Sequence, residues 1–269
     1  SDLIFSKDLS NNSLNLLSRN YIPNYTSGVT FFIAVAATNL FHQGNWQRVF
    51  AAKNYDVLKR SLIFSFLIII PTVFIMGITG IFAISLDNKI NPDLAFFSLL
   101  LRENSELISI AVIILAISLT VSTLDTLING ISSLVIVDGR KINKKLNSSN
   151  LIIIILAIVA LFVSSKGFSI LYLFLLADLL CCAAVFPVFY GFFRKKISEA
   201  DLILSIVVGL ILGLLLFPNT SFTNSLLVGG IINNEIFPTI VKNYLLFWSF
   251  LIATVTPAIT IFFKYNHSK

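Results

Sequence analysis

Apolar runs recur seven times along this chain, and they constrain its fold more than any other feature of the sequence. Several exceed the roughly 20 residues that a helix needs to cross a bilayer. Because 57% of the residues are hydrophobic and only 12% are charged, the composition excludes a soluble domain. It predicts an all-α integral membrane protein with seven transmembrane helices. The predicted spans, of which the first and fourth are short, cover residues 27–43, 61–85, 105–137, 150–165, 168–193, 201–217 and 243–264.

Basic residues between these runs predict the orientation. Thirteen of the 19 Lys and Arg residues follow the first, third, fifth and seventh runs, and six lie elsewhere. Positive charge favours the cytoplasmic side, so we expect a plasma (inner) membrane protein with its N-terminus outside and its C-terminus in the cytoplasm. Residues 1–26 would be an extracellular polar segment, 27–264 the membrane domain and 265–269 a cytoplasmic tail. The net charge of +6 is distributed over the loops and does not indicate nucleic-acid binding.

Residues 117–138, ISLTVSTLDTLINGISSLVIVD, carry many oxygen-bearing side chains within the third run and its end. At about 100° per residue these side chains share one side of a helix, and the opposite face is apolar. Such a helix is expected to face a protein interior or an aqueous cavity, although small residues also allow close helix packing. Packing does not explain Asp125, because a carboxylate at this depth costs roughly 2.5–3.5 kcal/mol on insertion scales. The oxygen-bearing face holds Ser118, Ser122, Asp125, Asn129 and Ser132, with Thr123, Thr126 and Gly130 beside it.

Polar residues also interrupt the first and fifth runs. The second half of the first run contains Thr38, Asn39, His42 and Gln43. Interrupted segments of this kind are where transporters place discontinuous helices and binding sites, and an interfacial position for His42 is the alternative. Asp178, near the middle of the fifth run, indicates either a functional acid or a hydrogen bond to a neighbouring helix.

Two connecting segments have patterns of their own. Residues 45–60 predict a short amphipathic cytoplasmic helix. Residues 87–104 are acidic and long enough to fold as a short helix over an extracellular vestibule. The adjacent Cys181 and Cys182 lie inside an apolar run, so they predict packing residues and not a disulfide framework.

Two stretches, taken together, carry a family resemblance. Residues 41–54, FHQGNWQRVFAAKN, present a Gln, then Gln-Arg, then Ala-Ala-Lys. Residues 121–138, VSTLDTLINGISSLVIVD, present a Ser-Thr pair, small polar residues and a closing Asp. In this order they resemble the sodium:solute symporter family, which includes sodium-coupled sugar, proline, pantothenate and urea transporters. The exit of the fifth run, PVFYGFFRKK, is a weaker match.

The resemblance implies a leucine-transporter-type fold built from two inverted five-helix repeats. The first five runs would be the second inverted repeat, and the last two would be extra helices. The first repeat would lie upstream, which agrees with the expectation that an earlier span carries residues 1–26 across the membrane. The expected function is sodium-coupled uptake of a small polar solute by alternating access, with these 269 residues inactive alone. The expected partners are the solute, the lipid bilayer and the missing N-terminal helices.

The motif match also assigns residues to a sodium site. Ser122 and Thr123 correspond to the family's hydroxyl pair, and Leu119, one turn earlier, would lend its backbone carbonyl. Asp125 would add charge, bind a second cation or relay a proton. Sodium is therefore the expected coupling ion. The substrate-facing candidates, chosen from position and polarity, are Val35, Thr38 and Asn39, and the gate or coupling candidates are His42, Gln43 and Asp178.

Other classes of membrane protein compete with this interpretation. A retinal-binding receptor is disfavoured because the seventh run has no internal Lys for a Schiff base; Lys264 lies at its end. A transporter-derived sensor and a proton-coupled relative, with Asp125 or Asp178 as the proton site, stay open. No nucleophile–base arrangement indicates an enzyme.

Overall fold

The structure is a computed structural model that describes residues 21–86, 90–101, 106–142, 149–193, 197–228 and 239–267. Within these ranges the chain is helical between short connections and contains no strand, which confirms the predicted all-α class. Residues 1–20 of the predicted polar segment and 268–269 of the predicted tail lie outside them. The helices are α1 (Ile22–Phe41), α2 (Gln43–Ala51), α3 (Tyr55–Leu86), α4 (Ala95–Leu101), α5 (Glu106–Ile142), α6 (Ser149–Ser164), α7 (Ile170–Phe193), α8 (Glu199–Leu216), α9 (Thr239–Asn243) and α10 (Leu245–His267).

Each predicted span overlaps a helix, although the first one extends past the end of α1 at Phe41 to the start of α2 at Gln43. The helices differ in how well they suit a bilayer. In the described ranges five of them, α3, α5, α7, α8 and α10, are long and apolar enough to cross a membrane. The 16 residues of α6 are short for a bilayer, and polar residues interrupt α1. Five such helices are the pattern of a multi-pass membrane protein.

The segment around the predicted amphipathic helix differs from the expectation. Instead of one helix over residues 45–60, the chain forms α2, leaves the helical conformation at Ala52 with an extended backbone, and starts α3 at Tyr55. Asn54 explains the new start, because its side-chain oxygen accepts a hydrogen bond from the backbone N–H of Val57 at 2.9 Å. A side chain in this position caps a helix N-terminus. The third helix therefore begins six residues before the predicted span.

The helices divide between two compact units, described here one at a time. The first unit comprises His42–Gly167 in the described part. In it α4 packs on α3, and α2 and α6 pack on α5. The predicted short helix within residues 87–104 is present as α4, after a turn in which the Asn91 side chain accepts from the Asp93 N–H at 3.0 Å.

The second unit contains residues 21–41 and 168–267 of the described part, and it holds a buried core. Helix α7 lies at its centre and contacts α1, α8 and α10. Buried side chains from α1, α7, α10 and the connection after α8 meet there, and partly buried side chains of α8 pack against them. The buried side chains are Ala34, Ala37, Tyr172, Leu175, Leu179, Cys182, Ala183, Phe217, Phe250 and Ala253.

Small residues let α8 and α10 approach closely in the second unit. A Cβ atom added at Gly213 would lie 2.8 Å from the Ala253 Cβ, which is inside van der Waals contact. The Ser249 hydroxyl donates to the Gly213 carbonyl oxygen at 2.8 Å, and this bond is buried. The contact follows the rule for membrane helices, in which small residues and interhelical hydrogen bonds replace the hydrophobic effect. We call these three residues the α8–α10 seam.

Candidate functional site

The residues of the predicted sodium site lie together on one side of α5 in the first unit. The Thr123 hydroxyl donates to the Leu119 carbonyl oxygen at 2.9 Å, and the Thr126 hydroxyl donates to the Ser122 carbonyl oxygen at 3.0 Å. These hydroxyl hydrogens are therefore satisfied inside the helix, which lowers the cost of placing the hydroxyls in a bilayer. Their lone pairs stay available to accept a cation or a hydrogen-bond donor.

Asp125 is the charged member of this side of α5. It is exposed, and its carboxylate accepts a hydrogen bond from the Asn129 side-chain amide at 3.1 Å, one turn along the helix. No Lys or Arg of the described residues forms an ion pair with it. The structure thus gives Asp125 a local partner on its own helix, and its carboxylate keeps further acceptor sites.

Helix α2 crosses close to the polar side of α5. A Cβ at Gly44 would lie 3.5 Å from the Thr126 methyl group, and one at Gly130 would lie 3.6 Å from the Gln43 side chain. Both distances correspond to ordinary van der Waals contact, so they show that the two helices are in direct contact. A cleft of about 310 Å³ opens where they meet. It is lined by His42, Asn45, Arg48, Ser122, Thr123, Thr126 and Leu127.

The α2 side of this cleft is electropositive. Arg48 lines it and forms no ion pair among the described residues. The first turn of α2 contains no acidic residue and no side-chain cap, so the partial positive charge of the helix N-terminus is not offset locally. The His42 Nδ1 atom is buried and has no hydrogen-bond partner in the described part of the chain. Among the residues that the structure describes, no carboxylate lines the cleft.

The second unit joins two residues that the sequence assigned to different roles. The Thr38 hydroxyl on α1, a predicted substrate-facing group, donates to a carboxylate oxygen of Asp178 on α7, a predicted coupling residue. Asp178 is only 7% exposed, and the Cys181 thiol lies beside the same Thr38 hydroxyl. Burial of a carboxylate is tolerated where a hydrogen bond satisfies it. Both of the roles considered for Asp178, functional acid and interhelical partner, therefore remain compatible with this contact.

The other two substrate-facing candidates lie on the exposed side of α1. Val35 is 52% exposed, and the Asn39 side-chain amide donates to the Val35 carbonyl oxygen at 2.8 Å. Of the gate candidates, His42 connects α1 to α2 and lines the cleft, and Gln43 begins α2.

Arg48 is the functional candidate that the sequence analysis missed. In the sequence it counts as one of the positive charges that predict orientation. A signal was present, since His42, Asn45 and Arg48 recur at intervals of three and so share one side of a helix. That spacing was not enough to show that the side in question would meet the hydroxyl-bearing side of α5.

No protein-family model, curated protein or solved structure matches this chain.

Proposed function

We propose that this chain is part of a secondary active transporter that couples the uptake of a small polar solute to sodium. The observation that carries the proposal is the cleft in the first unit, where Ser122 and Thr123 line a space of about 310 Å³ halfway along an apolar helix. This volume is at the lower end of small-molecule sites. The resemblance of residues 41–54 and 121–138 to sodium:solute symporters supports the same assignment, because the two matching segments form the two walls of the cleft.

The proposed sodium ligands are oxygen atoms of α5. Sodium, like other hard cations, takes oxygen ligands, and Ser122 and Thr123 present hydroxyl oxygens beside the backbone carbonyl of Leu119. This carbonyl now accepts the Thr123 hydroxyl hydrogen, so direct coordination by both oxygens would turn that hydrogen away from it. Asp125 would add negative charge one turn further along α5 and favour a cation nearby.

The proposal includes seven spans, and so it places α1 and α6 in the membrane with the five long helices. It assigns the chain to the second inverted repeat of a leucine-transporter-type fold, followed by two extra helices, in the plasma (inner) membrane. The N-terminus would be outside and the C-terminus cytoplasmic. None of the residues in the most apolar 18-residue stretch of α5 is buried, against 39% of the corresponding stretch of α7. Helices of a first repeat would cover α5 and supply the remaining ligands.

A proton-coupled transporter is the second candidate, and one observation favours it. Asp178 is buried and bonded to Thr38 across two helices. A buried ionisable residue within a membrane helix is a common element of proton relays. Replacing sodium with choline in an uptake assay would separate the two, because only the proton-coupled transporter would keep its activity.

Sodium dependence tests the leading proposal. In the complete transporter, including its first repeat, Ser122→Ala or Thr123→Ala removes one oxygen ligand and leaves a good helix former. The loss of one such partner costs on the order of 1–3 kcal/mol. Half-saturating sodium should therefore rise by roughly five- to 150-fold, with near-normal amounts of protein in the membrane.

Ser133→Ala provides the matched control. It removes a hydroxyl of the same helix that, among the described residues, donates to the Gly130 carbonyl oxygen at 2.8 Å and does not line the cleft. Its sodium dependence should match that of the unmodified protein. The sodium-site assignment is wrong if the Ser122 and Thr123 variants behave like this control. The repeat assignment is wrong if the 269 residues alone, in proteoliposomes, accumulate solute in response to a sodium gradient.

A further inference from the structure

We propose that the segment joining α2 to α3 binds an anionic phospholipid, with basic side chains on the headgroup and the exposed apolar start of α3 on an acyl chain. We call this segment, residues 46–60, the basic junction. The inference needs only that α3 crosses a membrane, for which it is long and apolar enough. It does not depend on the proposed transport function or on the sodium ligands of α5.

The basic junction carries positive charge that its own carboxylate does not neutralise. It contains four basic residues and one acidic residue, Asp56, and all five are exposed. None of the basic residues forms an ion pair with a carboxylate among the described residues. Lys264 on α10 differs, because it is paired with Asp201. The cations that the junction offers to an anionic group are Arg48, Lys53, Lys59 and Arg60.

Helix α3 fixes the depth of these cations in a bilayer. A helix of 32 residues is about 48 Å long, whereas the hydrocarbon core is about 30 Å thick. The charged residues of α3 all lie in its first two turns, and residues 61–86 contain none. Lys59 and Arg60 therefore lie at the level of the lipid headgroups when the apolar part of α3 fills the core. Only residues 52–54 separate α2 from α3, so the end of α2 stays within roughly 14 Å of the start of α3.

Aromatic side chains of the junction have the character of residues at a membrane surface. Trp46 and Phe50 lie one turn apart on α2, with ring centroids 6.5 Å apart, and Phe50 is 83% exposed. Trp46 is roughly 200° around α2 from Gly44, which lies against α5. The aromatic pair therefore faces away from α5. Tyr55, the first residue of α3, is also exposed, and Trp and Tyr favour the boundary between headgroups and acyl chains.

An apolar stripe continues from the cations along α3 into the hydrocarbon core. On one side of the helix Lys59 is followed by Ile63 and Phe66, at intervals of four and three residues. Beside it Arg60 is followed by Phe64. The three apolar side chains are exposed. A phospholipid covers the cations and the stripe together, whereas an acidic protein segment in water would neutralise the cations and leave the stripe uncovered. The arrangement therefore favours a lipid with an anionic headgroup.

Quenching of tryptophan fluorescence by brominated lipids tests the proposal at the junction itself. Trp46 and Trp248 are the two tryptophans of the chain, so Trp248→Phe leaves Trp46 as the single reporter. The 269-residue chain is reconstituted in equal mixtures of phosphatidylglycerol and phosphatidylcholine, with bromine on the acyl chains of one lipid at a time. One basic residue near an anionic surface corresponds to about a fivefold preference, so phosphatidylglycerol should be preferred beside Trp46 by about five- to 30-fold.

Paired variants assign this preference to the junction. Lys59→Gln/Arg60→Gln removes the two cations at the headgroup level and should reduce the preference for phosphatidylglycerol by about three- to tenfold. Lys166→Gln/Lys264→Gln is the matched control, because it changes the net charge by the same amount. It replaces one lysine that lies over an aromatic ring and one that is in an ion pair. The control should change the preference at Trp46 by less than about 1.5-fold.

Salt and a soluble anion test the same preference with every junction cation in place. Raising the salt from about 0.01 M to 1 M shortens the Debye length from about 30 Å to 3 Å, so the preference at Trp46 should fall below about twofold. Millimolar sn-glycerol 3-phosphate has the phosphate without the acyl chains, and it should act no more strongly than choline chloride of equal ionic strength. The unmodified protein, with both tryptophans, should show the same direction of lipid and salt dependence.

Three results would overturn the proposal. Equal quenching of Trp46 by the two brominated lipids would leave the junction to an acidic protein segment. Equal responses of the junction variant and its control would reduce the effect to net charge. Displacement by glycerol 3-phosphate beyond the salt effect would assign the cations to a soluble phosphate. The sodium experiment with Ser122→Ala stands apart from all three, because Lys59 and Arg60 do not line the cleft between α2 and α5.

Discussion

The bond between Thr38 and Asp178 gives the sharpest prediction about the second unit. Thr38→Val keeps the branched shape of the side chain and removes the hydroxyl that donates to Asp178. Because Asp178 is only 7% exposed, water replaces the lost donor poorly. A buried acceptor left without its partner costs about 1–3 kcal/mol. For a chain of this size that corresponds to a fall of about 2–12 °C in the unfolding temperature, by the scale for soluble proteins.

Thr30→Val is the control, since it is the same substitution on the same helix. Thr30 is 1% exposed, but its hydroxyl donates to the Thr26 carbonyl oxygen within α1, at 2.7 Å. In a regular helix that carbonyl oxygen also accepts the backbone N–H of Thr30, so the variant leaves no acceptor without a donor. Its effect should stay below about 1 kcal/mol.

A double-mutant cycle separates the bond from other effects of the substitutions. In an Asp178→Leu background the acceptor is gone, so adding Thr38→Val should cost almost nothing, and the coupling energy should be about 1 kcal/mol or more. Thermal unfolding in detergent can be followed by the fluorescence of Trp248, which lies on α10 of the same unit. Equal losses for the Thr38 and Thr30 variants, or additive losses in the cycle, would refute the reasoning.

Two further predictions concern packing and topology. Gly213→Ala places a methyl group 2.8 Å from the Ala253 Cβ, so it should destabilise the second unit by about 1–3 kcal/mol. Adding Ala253→Gly should recover part of this loss in the same unfolding assay. If Gly213→Ala alone causes no loss of stability, the close α8–α10 contact is contradicted. In a background without Cys181 and Cys182, an impermeant thiol reagent added outside intact cells should label Asn91→Cys and leave Lys53→Cys unlabelled until the membrane is opened; the reverse pattern would invert the proposed orientation.

The helices were predictable because their cause is local. An apolar run of about 20 residues has few stable conformations in a bilayer other than a helix, and each of the seven runs forms one. The break at His42 was harder to predict in detail, because no proline marks it and the surrounding polar residues fit either a helix end or an interface. The start of α3 depends on one side chain, Asn54, whose capping role is visible in the sequence only once the helix boundary is known.

The partners of the polar residues were much less predictable. Thr38 and Asp178 are 140 residues apart, and neither helix has a face that periodicity alone would pair with the other. On α5 the sequence showed the oxygen atoms but not their internal bonds. Because hydroxyls such as that of Thr123 are satisfied by carbonyls of their own helix, the argument that such a helix must avoid lipid applies chiefly to Asp125 and Asn129.

The α8–α10 seam also determines how stability should depend on temperature. When two membrane helices separate, their small contact residues lose contact with each other and become surrounded by lipid chains, not by water. Little apolar surface becomes hydrated, so the heat-capacity change that bends the stability curve of a soluble domain is nearly absent. The stability contributed by Gly213, Ser249 and Ala253 should therefore vary almost linearly with temperature. It should show no maximum near room temperature and no decline on cooling.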